Sequence, residues 1–278
     1  MTAAIHPAPS SAPRPAPGTA VVTGASSGIG AVYADRLARR GYDLVLVARD
    51  GVRLAALAER LQRDTGVQAE VLQADLTVRA DLARVEQRLQ ADARIRLLVN
   101  NAGMAVSGTL ATADMDAVER MIALNVLAPT RLAAAAAKGF AARQNGTLIN
   151  IASVLALAPE MFSGTYSGTK AYVLNLTKSL QQELGPQGVR VQAVLPGATR
   201  TEIWDRAGTP IGHLPQEMLM DVDAMVDAAL AGLDQGEAVT IPSLEAVQEW
   251  NALEDARRAL GPFLSQRYPA TRYAAAAA

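Results

Sequence analysis

Residues Gly18 to Gly30 read Gly-Thr-Ala-Val-Val-Thr-Gly-Ala-Ser-Ser-Gly-Ile-Gly, and the fold turns on how this stretch is read. Thr19–Thr23 is a short apolar run of strand length, and helical spacing begins at Gly28 and continues to Arg40. A buried strand that runs into a glycine turn and then a helix is the frame of a dinucleotide-binding loop. Gly24 allows the tight turn, Gly28 lets the backbone approach a pyrophosphate, and Gly30 lets the helix pack close to the strand. The helix start offers unpaired N–H groups and the positive end of its dipole to the phosphates. Ser26, Ser27 and Ile29 complete this expected cradle. The segment also fits the G-x-S-x-G nucleophile elbow, with Ser26 as nucleophile. That reading needs a downstream acid and then a histidine. His213 is the sole downstream histidine, and it lies in a Gly/Pro-rich loop.

Outward from this loop, apolar strand candidates alternate with helical patterns. Strands are expected at 44–48, 68–73, 97–100, 148–151, 189–195 and 237–241. Helices are expected at 52–64, 79–90, 114–143 (two, meeting near Asn125 to Pro129), 164–184, 222–233 and 244–260. The alternation predicts an α/β fold: a single-domain, doubly wound, Rossmann-like parallel sheet with helices on both faces. Its expected bounds are residues 18–268, between a disordered Pro/Ala-rich tail at 1–17 and a C-terminal tail at 269–278. Ligands in such sheets lie beyond the carboxyl ends of the strands, so the chemistry should follow strands.

The 278 residues are half hydrophobic, with a formal charge of −1 and no cysteine. Disulfides and thiol catalysis are thereby excluded, and the composition fits a reducing, cytoplasmic setting. Two histidines, His6 and His213, argue against a histidine-rich metal site, and no metal is expected. No basic run points to nucleic acid, no apolar run reaches membrane-spanning length, and the N-terminus has no secretory signal pattern.

Coenzyme choice is read at the end of the second strand, where Leu44-Val45-Leu46-Val47-Ala48 runs into Arg49. An acidic residue there would bind ribose hydroxyls and repel a 2′-phosphate; none is present at the strand end, and Arg49 can pair with that phosphate. NADP(H) is therefore favoured over NAD(H), although Asp50 next door could blunt the charge of Arg49. Tyr166 and Lys170 are four apart in a helical stretch and share a face. A nearby ammonium favours the phenolate, so the pair predicts a tyrosine tuned to exchange a proton with a carbonyl or alcohol oxygen. Ser153, after another strand, can hold that oxygen by its hydroxyl, or can serve as a turn or cap residue.

In these features the chain resembles the short-chain dehydrogenase/reductase family. The glycine loop resembles its T-G-x-x-x-G-x-G signature, and Asn100-Asn101-Ala102-Gly103 its N-N-A-G segment. Asn125, Ser153, Tyr166 and Lys170 fall in the order of its catalytic tetrad. Asp75-Leu76 resembles the pair that contacts adenine, and Pro196-Gly197 with Thr201 the segment that holds the nicotinamide carboxamide. The resemblance implies hydride exchange between nicotinamide and a ketone, aldehyde or secondary alcohol. It also implies that Asn125 kinks its helix and holds a relay water, and that Lys170 binds the nicotinamide ribose. Two positions depart from the pattern. Ser27 stands where many NADPH-using members carry a second basic residue, and Thr199 where Val or Ile is usual, though that contact is expected through backbone.

The substrate pocket is expected to be largely apolar, with Val154, Leu155 and Trp204 as lining, and Leu157, Met104, Val106, Ile203, Ile211, His213 and Leu214 as neighbours. Arg200 and Arg206 could bind an acidic substrate group or be solvated. Family members commonly pair the two helices that here carry Leu127–Ala142 and Val173, Leu174, Leu176, Leu180 and Leu184, which implies a homodimer or homotetramer. The final helix, with Trp250, Leu253 and Leu260, could cap a pocket or an interface. Two other functions stay open on the same fold: a catalytically silent NADP-sensing regulator, expected to have lost the tyrosine or lysine, and a lyase or epimerase, expected to carry a longer C-terminal substrate region.

Overall fold

A computed structural model of the chain describes residues 17–208, 211–213 and 215–273. The expected tail at 1–16, the terminal alanine run at 274–278 and Leu214 lie outside the described residues. Two compact units divide at Pro242/Ser243. The first holds β1 (Thr19–Thr23), α1 (Gly28–Arg39), β2 (Asp43–Ala48), α2 (Gly51–Thr65), β3 (Ala69–Gln73), α3 (Arg79–Ala91) and β4 (Ile95–Asn100). It continues with α4 (Met115–Ile122), α5 (Ala128–Ala142), β5 (Gly146–Ile151), α6 (Gly164–Leu184), β6 (Val189–Val194), α7 (Ile203–Arg206), α8 (Val222–Asp234) and β7 (Val239–Thr240). The second unit contains α9 (Val247–Ala259), followed by short turns.

The seven strands form one parallel sheet in the order β3-β2-β1-β4-β5-β6-β7. Chain direction around the sheet therefore switches between β1 and β4, where a crevice opens beyond the strand ends. Strict alternation of side chains builds a core on each face. Ala20, Val22, Leu44, Leu46, Leu97 and Val99 point to one side, where α1, α2 and α8 supply Tyr33, Leu37, Leu54, Leu61, Met225 and Leu230. Val21, Val45, Val47 and Leu98 point to the other, against Leu82, Val85, Leu132, Phe140, Leu180 and Leu184 of α3, α5 and α6. Fully buried strands explain the unbroken apolar runs in the sequence.

One element differs in kind from a plain helix pair. Between α4 and α5 the chain does not stop; residues Ala123–Leu127 form a π-helical turn that joins them. The Ala128 N–H reaches back to the Ala123 carbonyl, one residue further than in an α-helix. Pro129 follows and has no N–H to return to the Asn125 carbonyl, so a regular α-helical ladder fails at this point.

The apolar residues of α6 face inward. Val173, Leu174, Leu180 and Leu184 are buried within their own chain, and Leu176 packs against the same core. Their spacing records the inner face of α6; the large apolar side chains left exposed on this side are Leu127 and Tyr172.

The carboxyl ends of β4 and β5 are tied to the helices behind them by buried amides. Asn100 Nδ2 donates to Asn150 Oδ1 at 3.0 Å and to the Pro129 carbonyl at 3.2 Å, and Asn150 Nδ2 donates to Thr177 Oγ1 at 2.9 Å. This chain sets the height of both strand ends against α5 and α6. Replacing Asn150 by Ala removes two bonds and strands the Asn100 and Thr177 groups, so urea unfolding should show a loss of about 1–3 kcal/mol.

Candidate functional site

The turn after β1 is shaped by backbone that side chains would block. Gly24 has φ of +67° and Gly28 of +52°, in the left-handed region that glycine tolerates. A Cβ on Gly30 would lie 2.3 Å from the Gly24 carbonyl oxygen, so only glycine lets α1 seat against the turn. The Thr23 hydroxyl, itself donating to the Val99 carbonyl at 3.2 Å, accepts from the N–H groups of Asn101 and Ala102 at 3.0 Å each. Asn101 Nδ2 returns a bond to the Thr23 carbonyl at 2.8 Å. The segments after β1 and β4 are thus locked together on the two sides of the crevice. Ser27, at the N-cap of α1, makes no side-chain cap bond, and no acidic residue stands in the first turn. The helix start therefore keeps its N–H donors for an anion. This open cradle fits the pyrophosphate of a dinucleotide.

At the next strand, β2, Asp50 caps α2 by accepting from the Arg53 N–H at 2.9 Å and faces the Arg53 guanidinium at 3.4 Å. The carboxylate that could have neutralised Arg49 is thereby engaged elsewhere. Arg49 is exposed, and its guanidinium has no partner among the described residues. After β3, the Asp75 carboxylate is held by the N–H and hydroxyl of Thr77 at 2.9 and 2.7 Å, and Leu76 is buried beside it.

Beyond β4, β5 and β6 lie the groups with proton chemistry. Asn125, in the π turn, uses its whole amide: Oδ1 accepts from Met104 N–H at 2.9 Å, and Nδ2 donates to the Met104 carbonyl at 2.8 Å and to Thr169 Oγ1 at 3.1 Å. A Cβ on Gly103 would stand 3.3 Å from Asn125 Oδ1 and 3.5 Å from Lys170 Nζ, which places those two polar ends around one bare backbone position. Lys170 Nζ donates to the Ile151 carbonyl at 3.0 Å and lies 5.7 Å from the centre of the Tyr166 ring. The Ser153 hydroxyl accepts from Leu155 N–H at 3.2 Å. Asn125, Ser153, Tyr166 and Lys170 are all buried, and the fold gathers them near the carboxyl ends of β4 and β5.

The electrostatics differ from the sequence argument, which gave the Lys170 ammonium control of the phenol. Burial dominates instead. It pushes Tyr166 up to about 12, with the Ser153 hydrogen bond pulling the other way, and pushes Lys170 down to about 8.

The segment after β6 closes the site from above. Pro196 O faces the Ser153 hydroxyl at 3.5 Å, and Gly197 O accepts from Thr199 Oγ1 at 3.1 Å. The Thr199 carbonyl accepts the indole N–H of Trp204 at 2.9 Å. Thr201 reaches the glycine loop, its Cγ2 lying 3.1 Å from where a Gly28 Cβ would be. Val154, Leu155, Met104, Val106, Ile203, Trp204 and Ile211 are half-buried, whereas Leu157 is more exposed. Phe162 was missing from the sequence reading. Its ring meets Tyr166 edge-on at 5.8 Å and Trp204 edge-on at 6.2 Å, bridging the phenol to the closing segment. Its place four residues before Tyr166 was the available signal. Arg200 and Arg206 do not point to an acidic substrate: Arg200 pairs with Asp221 at 3.1 Å and bonds Gln216, and Arg206 pairs with Glu202. The His213 side chain lies outside the described residues. No group of three or more potential metal ligands occurs among the described residues, and no helix there is long and apolar enough to cross a membrane.

Sheet, cradle and buried polar cluster together define a dinucleotide-dependent oxidoreductase. Comparison with known proteins agrees: the short chain dehydrogenase family matches residues 18–210, and the chain belongs to that family. It is 37% identical over 223 residues to an oxidoreductase of Staphylococcus saprophyticus, covering 80% of this chain and 93% of the relative. Among solved structures it resembles a short-chain dehydrogenase from Sphingobium yanoikuyae in complex with NADPH, at 55% identity and a TM-score of 0.90, over 92% of this chain and 99% of the other. It also resembles the bulky-bulky ketone specific alcohol dehydrogenase from Comamonas testosteroni, at 49% identity and a TM-score of 0.86, over 92% and 98% of the two chains. The Sphingobium yanoikuyae structure holds NADPH, and here the arginine at the end of β2 is exposed.

The cradle yields a direct test. Gly30→Ala must push α1 off the turn, so NADPH affinity by fluorescence titration should fall at least about tenfold, with an overpacking loss of about 1–3 kcal/mol in stability.

Proposed function

We propose that the protein interconverts ketones and secondary alcohols, with Asn125, Ser153, Tyr166 and Lys170 as its catalytic set. The observation that carries this reading is the buried Tyr166 phenol, with the Lys170 ammonium 5.7 Å from its ring and Ser153 and Asn125 buried with it. NADPH, when bound, supplies the hydride. Gly24, Ser26, Ser27, Gly28, Ile29 and Gly30 hold its pyrophosphate, so Ser26 serves a cradle and not an elbow. Arg49 holds the 2′-phosphate, and Asp75 and Leu76 border the adenine. Asn101, Ala102, Gly103, Pro196, Gly197, Thr199 and Thr201 line the path to the nicotinamide.

The chain's own groups then handle the proton. Ser153 orients the substrate oxygen, and Tyr166 donates to it as the alcohol forms or accepts from it in reverse. A phenol held at about 12 is a firm proton reservoir that remains protonated at neutral pH until charge develops on the substrate oxygen. Lys170 holds a ribose hydroxyl and, when charged, favours the phenolate left behind. Asn125 fixes the Met104 segment through both of its backbone bonds and keeps Thr169 aligned behind Tyr166. Retention of both tyrosine and lysine favours an enzyme over a silent regulator.

Phe162, Trp204, Val154 and Leu155 favour an apolar substrate. The specificity of the Comamonas testosteroni alcohol dehydrogenase for bulky-bulky ketones supports a ketone with bulk on both sides. We further propose that α5 and α6, through exposed Leu127 and Tyr172, pair two copies into a homo-oligomer.

Tyr166→Phe should bind NADPH as the wild type does yet lose turnover of aryl ketones by about 100-fold or more, followed at the nicotinamide absorbance. Unchanged turnover would remove Tyr166 from the proton step. For pH, burial lowers Lys170 to about 8, so its charge is present below that value and lost above it. The kcat/KM for reduction should therefore decline on the alkaline side near pH 8, because this parameter reports the free enzyme. A profile that stays flat up to pH 10 would contradict the assignment.

A further inference from the structure

We propose that Arg53 is a second cation for the coenzyme 2′-phosphate, held in place by Glu202 until that phosphate arrives. The inference rests on the NADP(H) reading of the site.

The glycine loop carries Ser27 and no basic residue, so a dianionic phosphate at the end of β2 would otherwise have Arg49 alone. Arg53 sits in the first turn of α2, one helical turn beyond Arg49. Its guanidinium leaves its own helix and crosses toward the segment after β6, where Nη1 meets both carboxylate oxygens of Glu202 at 3.0 Å. Glu202 directly follows Thr201, whose methyl group packs over Gly28 of the phosphate loop. The Arg53 head group is therefore suspended across the groove between the end of β2 and the loop that cradles the pyrophosphate.

The ion pair is suited to exchange. Both partners are about half exposed, at 48% and 46%, so solvent weakens the bond between them. Glu202 also pairs with Arg206 from its own helical turn, and Asp50 is occupied at the start of α2. When Arg53 turns to a phosphate, Glu202 keeps a cation and α2 keeps its cap. Of the two carboxylates that Arg53 faces, Glu202 keeps Arg206, and Asp50 keeps the Arg53 backbone N–H. Glu202 is met by Nη1 alone, whereas a phosphate dianion could take the planar fork of Arg53 by two parallel bonds. Glu202 thus acts against the phosphate while Arg53 acts for it, and the balance sets coenzyme discrimination.

The test is titration of the full chain with NADPH and with NADH by fluorescence, at low and moderate salt. Arg53→Gln should raise the NADPH Kd about 10- to 100-fold, the range for a lost charge-assisted contact, and leave the NADH Kd within about twofold. Glu202→Gln should tighten NADPH by about two- to fivefold, the scale of an exposed ion pair, without changing NADH. If Arg53→Gln leaves NADPH unchanged, or weakens both coenzymes alike, Arg53 is a structural partner of Glu202 and the proposal falls. A wild type that binds both coenzymes equally would overturn the NADP(H) reading as well. A wild-type preference that survives Arg53→Gln would overturn this proposal alone.

Discussion

An ammonium group taken out of water at the carboxyl end of an apolar strand is the costly item around which this structure is arranged. Lys170 is stabilised there by one carbonyl at the end of β5, and it is pushed toward its neutral form. Such a group stays in place only where the surrounding backbone fixes it. The buried amides of Asn100 and Asn150 provide that fixity, since they bind the ends of β4 and β5 to α5 and α6. Burial makes the Tyr166 phenol a weaker acid for the same reason that it makes the Lys170 ammonium a stronger one. The two shifts bring a reluctant acid and a reluctant cation side by side, and substrate charge can then decide between them.

The cradle and the proton site are built by different means. The former is made of missing side chains: Gly24, Gly28 and Gly30 leave room for phosphate oxygens and for α1 to approach. The latter is made of side chains whose bonds are mostly spent on backbone. The Asn125 amide, for example, makes two bonds to the Met104 backbone and one to Thr169. Between them runs the segment from Pro196 to Arg206, which touches both, through Thr201 at Gly28 and through Trp204 and Phe162 at Tyr166. Coenzyme and substrate regions thus share one closing element.

Much of this could be read from residues in order. Alternating faces such as Ala20, Val21 and Val22 specify a two-sided sheet, and the glycine spacing specifies the first turn, because both follow from local geometry. Tyr166 and Lys170 share a helix face by arithmetic alone. Other features depend on distant contacts. Nothing near Leu180 or Leu184 distinguishes a core position from an interface, and α6 proved to spend both on its own chain. Spacing reveals the charge that neighbours Tyr166 but not the solvent the phenol loses on burial. Phe162 was overlooked since its role arises only once Trp204 is brought back from forty-two residues downstream.

The wide turn at Ala123–Leu127 carries a lesson about how this protein tolerates change. Each residue advances a helix by about 100°, so the extra member of that turn sets the angular phase of everything after it. Deleting it would return the turn to α-helical spacing, with Pro129 still leaving one carbonyl of the ladder without an N–H. The same deletion would rotate the Asn125 amide off the Met104 backbone. The defect is therefore where orientation is stored, and engineering that regularises helices for heat tolerance would erase it first.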